Sequence, residues 1–228
     1  MTSFQIKLLA VLTMAIDHIG LFFFPHVLIL NLIGRMSFPL FAWLAASGAR
    51  YSRNLNQYVI RLLGLATISE IPFLAANRQI DPSFFILNAV FTLSLGLLAI
   101  LWIKKTTRPW QWLLITLIAA LIAVFLKTDY GAAGVCSIVV FYLWHENLKK
   151  TIIAQLVICW TWYFIPTLVQ MSLTHHISSS NLQNLIELAS PISLIAIAVY
   201  NGKQGPKAKY LFYLFYPLQY VLIFLIQR

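Results

Sequence analysis

The chain has 228 residues, 61% of them hydrophobic and 10% charged, with a mean hydropathy of +0.83 and a net charge of +10. Soluble domains carry about 25% charged and 45–50% apolar residues, so this composition excludes a water-soluble surface. The cationic excess does not imply a nucleic-acid partner, because it falls in short breaks between apolar runs, where it reads as a topology signal with some left for anionic lipid headgroups or a polyphosphate.

Crossing a hydrocarbon core of about 30 Å takes roughly 20 apolar residues per helix. Apolar runs can be read at 5–24, 28–48, 58–76, 84–103, 110–127, 131–144, 151–173, 184–200 and 210–226. The expected fold is an all-α integral membrane protein, one domain over 1–228, built as a single bundle of about nine transmembrane helices. The sixth run is short and opens on Gly131 and Gly134, which leaves counts from eight to ten open. The first run contains Asp17-His18 and lacks a small-residue cleavage site, so it reads as a retained helix. Cys136 and Cys159 fall inside apolar runs, where a free thiol behaves as a small hydrophobe.

Lys7, Arg50, Arg53, Lys104, Lys105, Arg108, Lys149, Lys150, Lys203, Lys207 and Lys209 collect at one side, and Arg78, Lys127 and Arg228 at the other. Cytoplasmic loops carry the excess of Lys and Arg, which predicts a cell (inner) membrane protein with its N-terminus cytoplasmic.

Ionisable groups inside a bilayer are costly and usually face the bundle interior. Asp17, His18, Arg35 and Glu70 are the candidates, and on three helices each sits about 10 Å below the outer surface. Asn88 and the Asp129-Tyr130 pair lie near the same boundary. His18 is the group able to take and return a proton near neutral pH. An ion-pair network of Arg35, Asp17 and Glu70 that serves packing alone uses the same residues. His26, His145, His175 and His176 read as boundary or loop residues, and no His/Cys spacing suggests a metal. Tyr200 to Lys209, with Asn201, two glycines, Lys203, Lys207 and Lys209, forms a compact cationic turn suited to phosphate, although a topology loop explains the lysines equally well. The aromatic stretch through Tyr216-Pro217 follows it.

In chain order, Met14-Ala15-Ile16-Asp17-His18-Ile19-Gly20, Ile33-Gly34-Arg35-Met36-Ser37-Phe38-Pro39-Leu40-Phe41, Ser69-Glu70-Ile71-Pro72-Phe73, Asn88-Ala89-Val90-Phe91, Asp129-Tyr130-Gly131, Tyr200-Asn201-Gly202-Lys203 and Phe212-Tyr213-Leu214-Phe215-Tyr216-Pro217-Leu218 resemble the TraX family over nearly the whole chain. That family's founding member acetylates the N-terminus of F pilin, and a looser likeness extends to multi-pass membrane acyltransferases. The resemblance implies an acetyl-CoA-dependent acyltransferase with His18 as general base and Arg35 binding the donor or stabilising the oxyanion. Asp17 and Glu70 would hold that arginine or position the amine. Asn201, Lys203, Lys207, Lys209 and Tyr216 would meet the donor, and Asn88, Asp129 and Tyr130 an amine or hydroxyl acceptor, a pilin-like peptide in the founding case. One departure is Gln219, where family members commonly carry histidine after Tyr-Pro-Leu. Rival readings are a proton-coupled carrier using Asp17, His18 and Glu70 as a relay, and a non-catalytic assembly partner.

Overall fold

The computed structural model describes residues 1–174, 179–206 and 209–227. In chain order the helices are α1 (Ser3–Phe23), α2 (Leu28–Gly34), α3 (Ser37–Tyr51), α4 (Leu55–Asn77), α5 (Ala89–Ile103), α6 (Pro109–Phe125), α7 (Gly131–Leu143), α8 (Leu148–Cys159), α9 (Ile165–Thr174), α10 (Ser179–Glu187), α11 (Ser193–Ala198) and α12 (Lys209–Ile226). A π-turn, Trp160–Phe164, joins α8 to α9, and a 3₁₀ turn, Ser190–Ile192, precedes α11. Among the described residues the sole β-type pairing is an isolated bridge between Leu87 and Thr128. Ser3–Phe23, Leu28–Tyr51, Leu55–Asn77 and Leu148–Thr174 are long and apolar enough to cross a membrane, and four shorter apolar helices accompany them. This is a helical membrane protein, as its composition requires.

Three breaks in the expected helices have a common cause. Proline has no N–H and its ring crowds the carbonyl four residues earlier. Pro39 therefore interrupts the 28–48 run at Arg35, where α2 ends and α3 begins. Pro166 acts on Trp162, inside the π-turn. Pro191 acts on Glu187, the last residue of α10, so the run at 184–200 is divided between α10, the 3₁₀ turn and α11. The helix frees the Glu187 carbonyl, and the Cys159 thiol donates to it at 3.6 Å.

The chain divides into two compact units. The first comprises Met1–Leu44 and Trp144–Lys207. Here α1 and α2 form a close hairpin through two glycines: a Cβ on Gly20 would lie 2.7 Å from the Leu30 Cβ, and one on Gly34 would overlap the Asp17 side chain. Small residues at such crossings let two backbones approach within a membrane. At the N-terminal end of α1, the backbone N–H groups of Ser3 and Phe4 donate to the carbonyls of Lys203 and Gln204 at 2.9 and 3.1 Å, and Asn201 donates to Met1 at 2.9 Å. Gly205 takes φ +73, and a Cβ there would sit 2.8 Å from the Thr2 hydroxyl. Trp43 stands between His145, stacked at 6.0 Å, and Tyr200, edge-on at 4.8 Å.

The second unit comprises Ala45–Leu143 and Ala208–Arg228. Helix α4 packs on α5 and α12, while α5, α6 and α7 pack mutually. Ala99, Ala119, Ala123, Val135 and Val139 form a core of small side chains, and Gly96 admits Ile138. On α6 the buried face is Ala119, Ala120 and Ala123, whereas Phe125 is 85% exposed, as a lipid-facing position would be. The segments entering α5 and α7 are pinned together: Leu87 donates to the Lys127 carbonyl at 3.0 Å and Asp129 to that of Leu87 at 2.9 Å.

Candidate functional site

The first unit assembles an ion triad around Arg35. The Arg35 Nη2 donates to both oxygens of Asp17 at 2.9 and 3.1 Å, and its Nη1 donates to Glu187 Oε1 at 2.7 Å. Asn31 Nδ2 adds a bond to Asp17 Oδ1 at 3.3 Å and reaches the Asp17 carbonyl at 3.4 Å. Both carboxylate side chains are 11% exposed and the arginine 22%. The break at Arg35 places the guanidinium between α1 and α10, and Gly34 clears the space for Asp17 beside it. A guanidinium is charged at every accessible pH and forks to carboxylates, so one cation here holds two anions.

His18, the next residue on α1, is buried and meets Phe22 edge-on at 6.2 Å between ring centroids. The Asp17 carboxylate is turned to Arg35 and Asn31. Adjacent helical residues point about 100° apart, so the aspartate can serve the arginine while the histidine faces another direction.

The expected pairing of Asp17 with Arg35 is present. The second carboxylate on that arginine is Glu187, which the sequence reading did not single out. The signal existed: Glu187 is one of six acids and lies inside an apolar run, three residues from its start. Asn31 carried no comparable signal, since a lone asparagine among leucines has no charge to bury.

Glu70 belongs to the second unit, and its partner there is Asn88. Glu70 Oε2 accepts from the Asn88 backbone N–H at 3.1 Å and from its Nδ2 at 2.6 Å. Asn88 Nδ2 also reaches the Ala66 carbonyl at 2.8 Å, and its Oδ1 caps α5 by accepting from Val90 at 3.0 Å. One fully buried asparagine thus ties α4 to the start of α5. Tyr216, expected among the donor-binding residues, stands near Glu70 and Asp129. Its hydroxyl meets the Ala89 backbone N–H and the Tyr220 hydroxyl, with Glu70 and Asp129 close enough to act on it electrostatically. Asp129 and Tyr130 sit at the pinned entry to α7.

In the cationic turn, Asn201 Oδ1 accepts from the Lys203 backbone N–H at 3.1 Å. That N–H, expected to face a phosphate, is therefore engaged, and Gly205 is explained by the approach of Thr2. Asn201 and Lys203 are exposed. Lys207, like His175 and His176, lies outside the described residues, and Lys209 opens α12 with its side chain outside them. Among the described residues no three His, Cys, Asp or Glu side chains converge as metal ligands would.

A helical membrane protein with a buried Asp–Arg–Glu triad beside a histidine defines the class. A family model described as "TraX protein" matches residues 3–227, and the chain belongs to that family. The chain is 31% identical over 240 residues to the probable fimbrial assembly protein FimC, serogroup H1, of Dichelobacter nodosus, covering 97% of this chain and 94% of that one. A second similarity, 46% over 46 residues, is to an uncharacterized protein of Rickettsia prowazekii (strain Madrid E) and covers 19% of this chain and 18% of that protein. No solved structure matches.

Proposed function

We propose that this protein is a membrane acyltransferase that moves an acetyl group from cytoplasmic acetyl-CoA to an amine, with a pilin-like peptide N-terminus as the acceptor class. The observation that carries this reading is the buried Asp17–Arg35–Glu187 triad at the level of His18, in a TraX-family chain similar to a protein named for fimbrial assembly. Three charged groups held off the lipid are costly to bury, and such groups in membrane proteins mark functional sites.

In this reaction the amine nitrogen attacks the thioester carbonyl, a C–N bond forms and the C–S bond breaks. His18 removes the proton from nitrogen and returns it to the departing sulfur, giving an amide and free CoA. Arg35, with both Nη atoms taken up by carboxylates, acts as a positioning residue: it fixes α1 against α2 and α10 and so fixes His18. Exposed Lys203, together with Lys207 and Lys209, supplies cationic charge for the donor's phosphates from the cytoplasmic side of the inner membrane, where the loop charges put the N-terminus.

The test is release of free CoA from acetyl-CoA by the purified protein, wild type beside His18→Ala, with a thiol reagent and a panel of amines. Release that depends on His18 supports the transferase. The name of the Dichelobacter relative favours a second reading, a non-catalytic part of a fimbrial assembly system. On that reading no CoA is released and His18→Ala leaves assembly intact.

A further inference from the structure

The second unit sorts its charges by end. The C-terminal end of α5 is tied to that of α3, where Lys104 Nζ donates to the Ala49 carbonyl at 2.6 Å. At this end, at the close of α3 and in the breaks before α4 and α6, stand Arg50, Arg53, Lys104, Lys105 and Arg108. The unit's three acids, Glu70, Asp81 and Asp129, lie toward the opposite end, where Asn88 ties α4 to the start of α5. An end that carries five cations and no acid complements an anionic membrane surface.

Arg61 is the cation that loop charge does not account for. It sits on α4 seven residues past the N-cap Asn54, about 10 Å along the helix. Its guanidinium meets the Tyr213 hydroxyl of α12, and Tyr58 lies close enough to feel both electrostatically. A phenol supplies an oxygen but no charge, and Glu70, the one acid on α4, follows nine residues later, about 13 Å away. A guanidinium has five N–H donors, so one hydroxyl does not use them up.

Gln57, Arg61, Gly64, Ile68 and Ile71 recur at spacings of four and three, which puts them on one face of α4. All five are exposed, Ile68 by 67% and Ile71 by 77%, and a Cβ on Gly64 would meet nothing within 4 Å. The face therefore runs from an amide and a guanidinium, past an open step, to bare apolar surface. That order is the order of an amphiphile, with an anionic head against Arg61 and a hydrocarbon chain past Gly64 over the isoleucines. A water-soluble polyanion would meet the cation and leave the isoleucines uncovered. A zwitterionic head would bring its own cation up to the guanidinium, where like charges repel. The long arginine side chain reaches the headgroup level from this depth.

We propose that this face of α4, with the Tyr213 hydroxyl beside it, binds one anionic glycerophospholipid of the surrounding bilayer, its phosphate on Arg61 and one acyl chain along Gly64, Ile68 and Ile71. The planar guanidinium offers two parallel N–H groups to the phosphodiester oxygens, and Gln57, one turn before it, adds an amide donor. The site lies wholly in the second unit and does not rest on the acyl-transfer reading.

Native mass spectrometry of the purified full chain in mild detergent tests it, with phosphatidylglycerol and phosphatidylcholine of identical acyl chains at equal concentration. The wild type is expected to retain one phosphatidylglycerol in preference to phosphatidylcholine by about fivefold to tenfold. Arg61→Gln is expected to abolish that preference. Arg108→Gln removes a cation of the same end but not of the α4 face, and is expected to keep it. Gly64→Phe fills the open step with Arg61 intact, and is expected to lower retention of the lipid. Absence of a preference in the wild type overturns the proposal, as does a preference that survives Arg61→Gln or that Arg108→Gln removes equally. Displacement of the lipid by millimolar glycerol phosphate overturns it in favour of a site for soluble phosphates, and unchanged retention in Gly64→Phe overturns the path assigned to the acyl chain.

Discussion

Arg35 concentrates most of the energetic consequence of this sequence at one side chain. Breaking a buried ion pair by removing one partner costs about 3–5 kcal/mol, because the charge left behind is neither solvated nor paired. Arg35→Met leaves two such carboxylates, and the expected result is a large fall in the thermal unfolding temperature in detergent, or failure to accumulate. Glu187→Gln should cost much less, since the amide oxygen still accepts from Nη1 and the remaining Asp17–Arg35 pair is neutral; equal losses would show that charge is not what holds the triad. A surface carboxylate behaves differently. Asp81, in the turn after α4, accepts from the Ser83 hydroxyl at 2.6 Å and its N–H at 2.9 Å, which holds its pKa below the usual value. A depressed carboxylate stabilises the fold above its unfolded pKa and loses that contribution as pH falls through its folded one. Ser83→Ala should therefore raise the Asp81 titration midpoint seen by NMR. The Asp17–Arg35 pair was legible because charged residues stand out against leucine and isoleucine, whereas Asn31 becomes meaningful only when neighbouring helices surround it.

At the scale of the helix, glycine and proline carry the information that hydropathy does not. Gly34 and Gly64 look alike in the sequence but differ in their surroundings. A Cβ at Gly34 overlaps Asp17, and one at Gly64 meets nothing within 4 Å. Gly34→Ala should destabilise by about 1–3 kcal/mol through forced displacement of Asp17, while Gly64→Ala should be neutral or stabilise by up to about 1 kcal/mol through helix propensity. Parallel thermal scans check both: no loss at Gly34 would contradict the α1–α2 packing described, and a loss at Gly64 as large as that expected at Gly34 would contradict the open surroundings of Gly64 on α4. The apolar runs predicted the helices well because lipid requires every backbone group to be satisfied within its own segment. They missed the breaks at Arg35 and Glu187, because hydropathy averaged over a window is unmoved by a single proline. Each proline was visible; that two of them act on the two ends of one ion pair was not.

For the molecule as a whole, the sequence predicts orientation from loop charge, and this can be mapped directly. Alkaline phosphatase fused after Ser83 should be active and fused after Thr106 inactive; the reverse pattern would invert the orientation and put the lysine-bearing turn on the wrong side for a cytoplasmic donor. The order of synthesis adds a further consequence of the triad. Asp17 and Arg35 are 18 residues apart and can neutralise one another as soon as the first hairpin enters the bilayer, but Glu187 is 152 residues beyond Arg35. At ordinary translation rates it emerges about ten to thirty seconds later, after all of α4 to α7. Until then the hairpin waits as a neutral pair with part of its guanidinium unclaimed. The arrival of α10 completes the triad and adds its surplus negative charge, so the protein acquires the electrostatics of its candidate site long after the first hairpin has formed.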